Sequence, residues 1–360
     1  MRIDGQPETL SLADLYAPIA ADLQHARRLL ADELISDHAF TSDLCRHVGQ
    51  FHGKMLRPAL LLLAAQAAGG VRPEHPVLAA VVELVHLATL VHDDVLDEAD
   101  IRRRAATVNR LWGNQHAVLM GDFLYSHAFH LCSSLQSQYA ARVVGQTAIT
   151  MCEGEMMQVA SRGNLALTER EYMDIIARKT AALVETCCHL GAQYAAADEA
   201  TVRRLRDFGH ALGLAFQIVD DLLDLTGQEA EVGKSLGRDV YEGELTLPVI
   251  HALRTASPGE RTRLTTLLGQ PDTTPLPPRE GLAEGRTSTA LTGARSASDP
   301  RRYRQIAALL RESDSLAYAE SVARDHVETA KSALAPAPDY NARPCIRTPT
   351  RSRLPVRSPS

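Results

Sequence analysis

Two largely apolar runs, residues 84–91 and 212–219, each lead into the same acidic signature. The first ends in Asp93-Asp94-Val95-Leu96-Asp97 and the second in Asp220-Asp221-Leu222-Leu223-Asp224. On a helix, Asp93 and Asp97 share one face, as do Asp220 and Asp224. An apolar wall tolerates so many carboxylates only where cations compensate, because desolvating each ion costs on the order of several kcal/mol. Hard divalent cations such as Mg²⁺ prefer oxygen ligands, typically one or two carboxylates plus substrate phosphates. Two such clusters on separate helices can hold a metal-bound diphosphate between them. A single copy reads as a solvated helix end; two copies with the same apolar approach do not.

The rest of the pattern is helical. From about Leu12 to Leu268 apolar residues recur at helical spacing, with breaks at Gly69-Gly70, Gly113-Asn114, Arg162-Gly163-Asn164 and Ala197-Asp198. No stretch alternates as a strand, and aromatics are only 4% of a chain rich in Ala and Leu, so the fold class is all-α. No apolar run looks long enough to span a bilayer, and no cleavable leader is visible. A net charge of −6 leaves no nucleic-acid footprint. Six cysteines (45, 132, 152, 187, 188 and 345) make neither a CxxC nor a zinc spacing, which points to a reduced, cytoplasmic protein.

Residues 1–268 and 301–335 are expected to form a single catalytic helical domain. Residues 269–300, with Pro271, Pro275, Pro277, Pro278 and Pro300 among Thr, Ser and Gly, read as a flexible insertion. Residues 336–360, with five arginines and no acid after Asn341, read as a disordered basic tail. Attraction to anionic lipid, and with it peripheral membrane contact for product release, is the second reading of that tail.

At this point an ordered set of motifs resembles the trans-isoprenyl diphosphate synthases, or polyprenyl synthetases. Gly53-Lys54-Met55-Leu56-Arg57-Pro58, Glu83-Leu84-Val85-His86, the first acidic cluster, Asp100-Ile101-Arg102-Arg103 and Gly121-Asp122 come in the family's order. Gly154-Glu155 with Gln158, Lys179-Thr180, Phe216-Gln217, the second acidic cluster and residues 233–239 follow. The resemblance covers roughly residues 50–253 and continues weakly through 301–334.

It implies an isoprenoid synthase helical bundle with a central apolar cavity, and a homodimer. The implied reaction joins isopentenyl diphosphate to an allylic diphosphate, head to tail, with three Mg²⁺ ions per site. Asp93, Asp97 and Asp220 are then metal ligands, with Asp224 an outer-sphere one. Asp94 and Asp221, about 100° around their helices, hold basic or supporting partners instead. Lys179, Lys234 and Arg102 clamp the allylic diphosphate. Lys54, Arg57, His86 and Arg103 form the metal-free site for isopentenyl diphosphate. The oxygens of Thr180 and Gln217 stabilise the allylic cation, in an interior that keeps out water.

Taken singly, most of these residues have plainer readings: surface charge for Arg102 and Arg103, a solvated turn for Lys54 and Arg57, a satisfied core histidine for His86. Glu83-x-x-His86 also fits a di-iron bundle, but that needs a second Glu-x-x-His, which the chain lacks. A class I terpene cyclase would replace the second acidic cluster and have no isopentenyl site. A regulatory subunit of a two-component synthase would lose both clusters.

One and two turns before Asp93 stand Thr89, Ala88 and Val85, where short-product members commonly carry an aromatic floor. Their small size implies a medium- or long-chain product. Three departures from the family pattern stand out: Glu244 where the family usually has Lys; Arg104 where it usually has Gly, with Met55 at a usually basic position; and an atypical C-terminus. Glu244 either weakens diphosphate binding or pairs with a local arginine.

Overall fold

The computed structural model describes residues 11–51, 53–103, 105–226, 237–269 and 300–335. Lys234 and nearly all of the expected insertion and basic tail lie outside the described residues. The N-terminal half runs α1 (Leu12–Tyr16), α2 (Ala20–Glu33), α3 (Ala39–Val48), α4 (Leu56–Ala67), α5 (Glu74–Leu96), α6 (Val108–Trp112) and α7 (Asn114–Ser133). Then follow α8 (Tyr139–Ser161), α9 (Glu169–Ile176), α10 (Ala182–Tyr194) and α11 (Glu199–Thr226). The C-terminal part holds α12 (Arg238–Glu242), α13 (Leu247–Thr255), α14 (Pro258–Gly269), α15 (Pro300–Glu312) and α16 (Ser315–Leu334).

All four expected breaks separate helices. Gly69, Gly70, Gly113 and Gly163 take positive φ, which ends the preceding helix or admits the next. Starts are equally local. Thr168 caps α9 with a reciprocal box to Glu171, its hydroxyl accepting from the Glu171 backbone while the Glu171 carboxylate accepts from the Thr168 backbone.

Among the described residues the one strand pairing is a two-residue antiparallel ladder, Ile101–Arg102 against Ala105–Ala106. It turns through Arg103 at φ +48° and folds the chain after α5 back toward the first acidic cluster.

α5 packs against α2, α4 and α7, whereas α11 packs against α10 and α16. Besides a small cluster of Ala64, Cys188, Ala192, Val202 and Leu205, two large apolar clusters form among the described residues. One gathers Leu61, Leu84, Leu87, Met120 and Leu124 around α5; the other gathers Leu222, Leu225, Ile306 and Leu310 around α11. Burying one such leucine contributes roughly 1.5–3 kcal/mol. The expectation that no run reaches membrane-spanning length needs correction. At 23 residues α5 is long and apolar enough by composition, but most of it is buried inside the bundle, as a core helix should be.

Candidate functional site

α5 and α11 bring the two acidic clusters to one cavity of about 900 Å³. Asp93, Asp97 and Asp220 line it; Asp224 is buried behind the wall, where its carboxylate accepts from the Asp239 backbone at 3.3 Å and its carbonyl from Gly237 at 3.0 Å. Asp224 therefore ties the end of α11 to the start of α12. Of the middle aspartates, Asp94 leaves the lining whereas Asp221 stays on it beside Asp220, and both take protein partners. Asp94 accepts from Arg102 Nε at 2.7 Å. Asp221 accepts from the Tyr172 hydroxyl at 2.6 Å and from Gln217 at 2.7 Å.

Burial pushes the Asp93 carboxyl up to about 7, an effect the Lys179 ammonium offsets only in part. Burial likewise lifts Asp221 to about 7 against its two hydrogen bonds. The donor set is hard oxygen on a partly dry wall, and at Asp93 its charge is incompletely answered by protein. That chemistry fits Mg²⁺.

Lys179 and Thr180 stand on a π-helical turn, Ala177–Ala181, which the sequence does not announce. Two glycines admit it. A Cβ on Gly154 of α8 would meet the Lys179 backbone nitrogen at 2.6 Å, and one on Gly213 of α11 would meet Ala181 Cα at 2.6 Å. The turn is thus wedged between two helices that carry site residues. Lys179 Nζ pairs with Glu155 at 2.8 Å. Burial would lower its pKa, but Glu155, Glu244 and Asp93 together raise it, so the ammonium stays charged. The Thr180 hydroxyl donates to Gln217 Oε1 at 2.7 Å, which completes a chain from Thr180 through Gln217 and Asp221 to Tyr172. Both oxygens expected to face the allylic cation are thereby held in fixed orientations.

Arg57, His86, Arg102 and Arg103 also line the cavity. Lys54 is exposed and lies outside the lining, although its carbonyl accepts from the Tyr16 hydroxyl at 3.0 Å. Arg103 donates to the Phe51 carbonyl and lies so close to Gly53 that a Cβ there would meet its guanidinium at 2.6 Å. Arg57 Nε is buried with no hydrogen-bond partner among the described residues. Burial, then the charges of Arg57, Arg103 and Arg102, hold His86 far below the usual histidine range, so its ring is neutral. Glu83, 2% exposed, sits among these arginines with its carboxyl raised by burial and lowered by Arg57 and Arg103.

The sequence gives no local sign of the arginines that surround Asp97. Arg162, just past α8, reaches Asp97 at 3.2 Å, Glu242 at 3.4 Å and Glu244 at 2.8 Å. Arg238 reaches Asp97 at 3.3 Å and Glu242 at 2.6 Å. Burial and the neighbouring Asp97 push Glu242 up to about 7. The unusual Glu244 is therefore paired with an arginine, the second of its two expected fates.

Of the three residues expected beside the growing chain, Thr89 lines the cavity and its hydroxyl donates to the His86 carbonyl at 2.8 Å. Val85 and Ala88 are not on the wall: they are buried in the core around α5, 1% and 0% exposed. Because α5 is covered on several sides, helical spacing alone does not separate core from cavity. Leu90, Tyr125, Met151 and Leu183 line the apolar part.

The polyprenyl synthetase family model matches residues 38–276. The chain is 36% identical to the octaprenyl diphosphate synthase of Escherichia coli (strain K12), over 72% of this chain and 81% of that protein. It is 37% identical to heptaprenyl diphosphate synthase component 2 of Geobacillus stearothermophilus, over 68% of this chain and 76% of that one. Its fold is similar to the crystal structure of a polyprenyl synthase from Caulobacter crescentus CB15 complexed with calcium and isoprenyl diphosphate. The TM-score there is 0.79 at 32% identity, covering 91% of this chain and 93% of the other.

Proposed function

The chain belongs to the polyprenyl synthetase family and is a trans-prenyltransferase of the polyprenyl diphosphate synthase type, and from that premise we propose that it extends an allylic diphosphate with isopentenyl diphosphate, head to tail, in the presence of Mg²⁺. The observation that carries this reading is the meeting of Asp93, Asp97 and Asp220, from two helices, with Lys179 on one cavity that also contains Arg57, His86 and Arg103.

Asp93, Asp97 and Asp220 would hold Mg²⁺, three ions per site, with Asp224 fixing the second cluster from behind. Bound there, the metal neutralises charge as a diphosphate leaves an allylic carbon. Lys179, with Arg102 and Lys234, binds the same diphosphate. Gln217, oriented by Thr180 and Asp221, turns partial negative charge toward the cation. Arg57 and Arg103, beside a neutral His86, bind the diphosphate of the isopentenyl substrate directly. Guanidinium groups suit that task because their planar forks match phosphate oxygens. The apolar lining keeps water from quenching the cation. The cationic carbon is attacked by the isopentenyl double bond, and loss of a proton, taken up by the departed diphosphate, completes a five-carbon extension.

The product in this reading is medium or long, since Thr89 on the α5 side of the wall and Val85 and Ala88 behind it are small, which leaves Tyr125 of α7 as the aromatic of the apolar lining named above. A homodimer is part of the same proposal. Val118, Leu119 and Phe129 on α7, with Ile149 and Val159 on α8, are exposed apolar residues for which a second copy would supply cover. The cytoplasmic setting is supported by Cys45, Cys132, Cys152, Cys187 and Cys188, all free thiols.

The test is incubation of the purified protein with Mg²⁺, isopentenyl diphosphate and, separately, geranyl, farnesyl and geranylgeranyl diphosphates. Products are dephosphorylated and sized by mass spectrometry. A ladder ending at one length supports the proposal, and Thr89→Phe should then end it sooner. No extension from any primer sinks the proposal for the chain alone and turns the test to a two-component synthase, the arrangement named for the Geobacillus relative.

A further inference from the structure

Glu244 places a carboxylate on the cavity wall within electrostatic reach of Lys179. The surrounding structure answers it with a dedicated set of donors. Arg162 gives one Glu244 oxygen both Nε, at 3.0 Å, and Nη2, at 2.8 Å. Gln158 donates to the other oxygen. The backbone fixes these partners together: the Gly163 N–H donates to the Gly243 carbonyl at 2.8 Å. Gly243 takes φ +74°, and a Cβ on it would meet Gly163 nitrogen at 3.2 Å, so this close approach of the two loops favours glycine. The Arg162 and Glu244 side chains are only 18% and 10% exposed, so water screens the pair weakly.

Lysine is a movable point charge on a flexible stem. A Glu244 deprived of its arginine would remain a poorly solvated anion, and the nearby Lys179 ammonium would be drawn to it. We propose that Arg162 is a positioning residue that holds Glu244 away from Lys179 and so leaves Lys179 to Glu155 and the incoming allylic diphosphate. The proposal rests on the reading that Lys179 takes that diphosphate. It makes Glu244 and Arg162 a compensated pair, where sequence alone shows only a reversed charge.

The experiment is steady-state kinetics on the full chain with Mg²⁺, varying each substrate separately. Arg162→Gln should raise KM for the allylic diphosphate by about tenfold, the effect of roughly one pKa unit of lost charge interaction. KM for isopentenyl diphosphate, bound around Arg57 and His86, should move less than about threefold on the same scale. Adding Glu244→Gln to Arg162→Gln should return most of the lost allylic affinity, because the stray anion is gone. A purely structural role predicts no such rescue and equal damage to both substrates; either result overturns the proposal.

If Arg162→Gln does not fold by circular dichroism, Arg162→Lys takes its place. A lysine retains charge but lacks the rigid fork that sets two nitrogens on Glu244, so a smaller rise in allylic KM is expected, again relieved by Glu244→Gln. An unchanged allylic KM in Arg162→Lys, with no effect of the second substitution, overturns the proposal. A wild-type protein that extends no allylic primer refutes the reading of the site. An active wild type with an unaltered Arg162→Gln variant refutes the role of Arg162 alone.

Discussion

Two charged clusters share one cavity and treat burial in opposite ways. Around Asp93, Asp97 and Asp220 the surplus is negative, and Lys179, Arg162 and Arg238 answer only part of it. Around Arg57, His86 and Arg103 the surplus is positive, and the carboxylate among them is the buried Glu83. Neither surplus is a device for stability, since an unmatched buried charge is costly. Each suits a ligand of opposite sign: cations for the first cluster and an anion for the second. The difference teaches how two diphosphates would be told apart, one held through metal and the other by arginine.

The sharpest way to break that contrast is to remove a carboxylate. Asp93→Ala or Asp220→Ala should lower turnover by about a thousandfold or more, as expected when metal stabilisation of a leaving group is lost. Far-ultraviolet circular dichroism should be unchanged, because neither residue closes the core. Ordinary activity in either variant would end the metal assignment. The next largest effect belongs to the positive cluster. Arg57→Ala should raise KM for isopentenyl diphosphate by roughly a hundredfold, the loss of a charged, forked contact. KM for the allylic substrate should stay near the wild-type value. Equal losses for both substrates would show that the clusters do not divide the ligands.

The legibility of the two clusters also differs. The acidic one was readable in part because its information is local: Asp93 and Asp97 are one turn apart and both line the cavity, whereas Asp224, one turn after Asp220, is buried behind the wall and Asp221 lines it instead. The helix breaks were readable for the same reason, since glycines at positive φ are local devices. What escaped was long-range. Tyr172 meets Asp221 across 49 residues, and Arg162 meets Glu244 across 82. No pattern in a single chain announces such partners. The π-helical turn at Lys179 depends on Gly154 and Gly213 on two other helices, which only packing brings together. Val85 and Ala88 were misplaced for a different physical reason. A helix buried on several sides has apolar residues all round, and periodicity then says nothing about which face meets the cavity.

The smallest expected effect tests the negative surplus without any substrate. In the metal-free protein burial holds Asp93 at about 7, above its ordinary value near 3.8. The native state therefore binds a proton that the unfolded chain has released, and the associated stability is lost as pH rises from about 4 through 7. Mg²⁺ competes with that proton for the same oxygens. Thermal unfolding with and without Mg²⁺ should show a stabilisation that is slight at pH 5 and grows toward pH 8. In Asp93→Asn, which has no proton to lose at this position, the growth with pH should be blunted. A Mg²⁺ shift independent of pH, and identical in Asp93→Asn, would mean that the ion binds elsewhere and that the negative surplus at Asp93 is not its site.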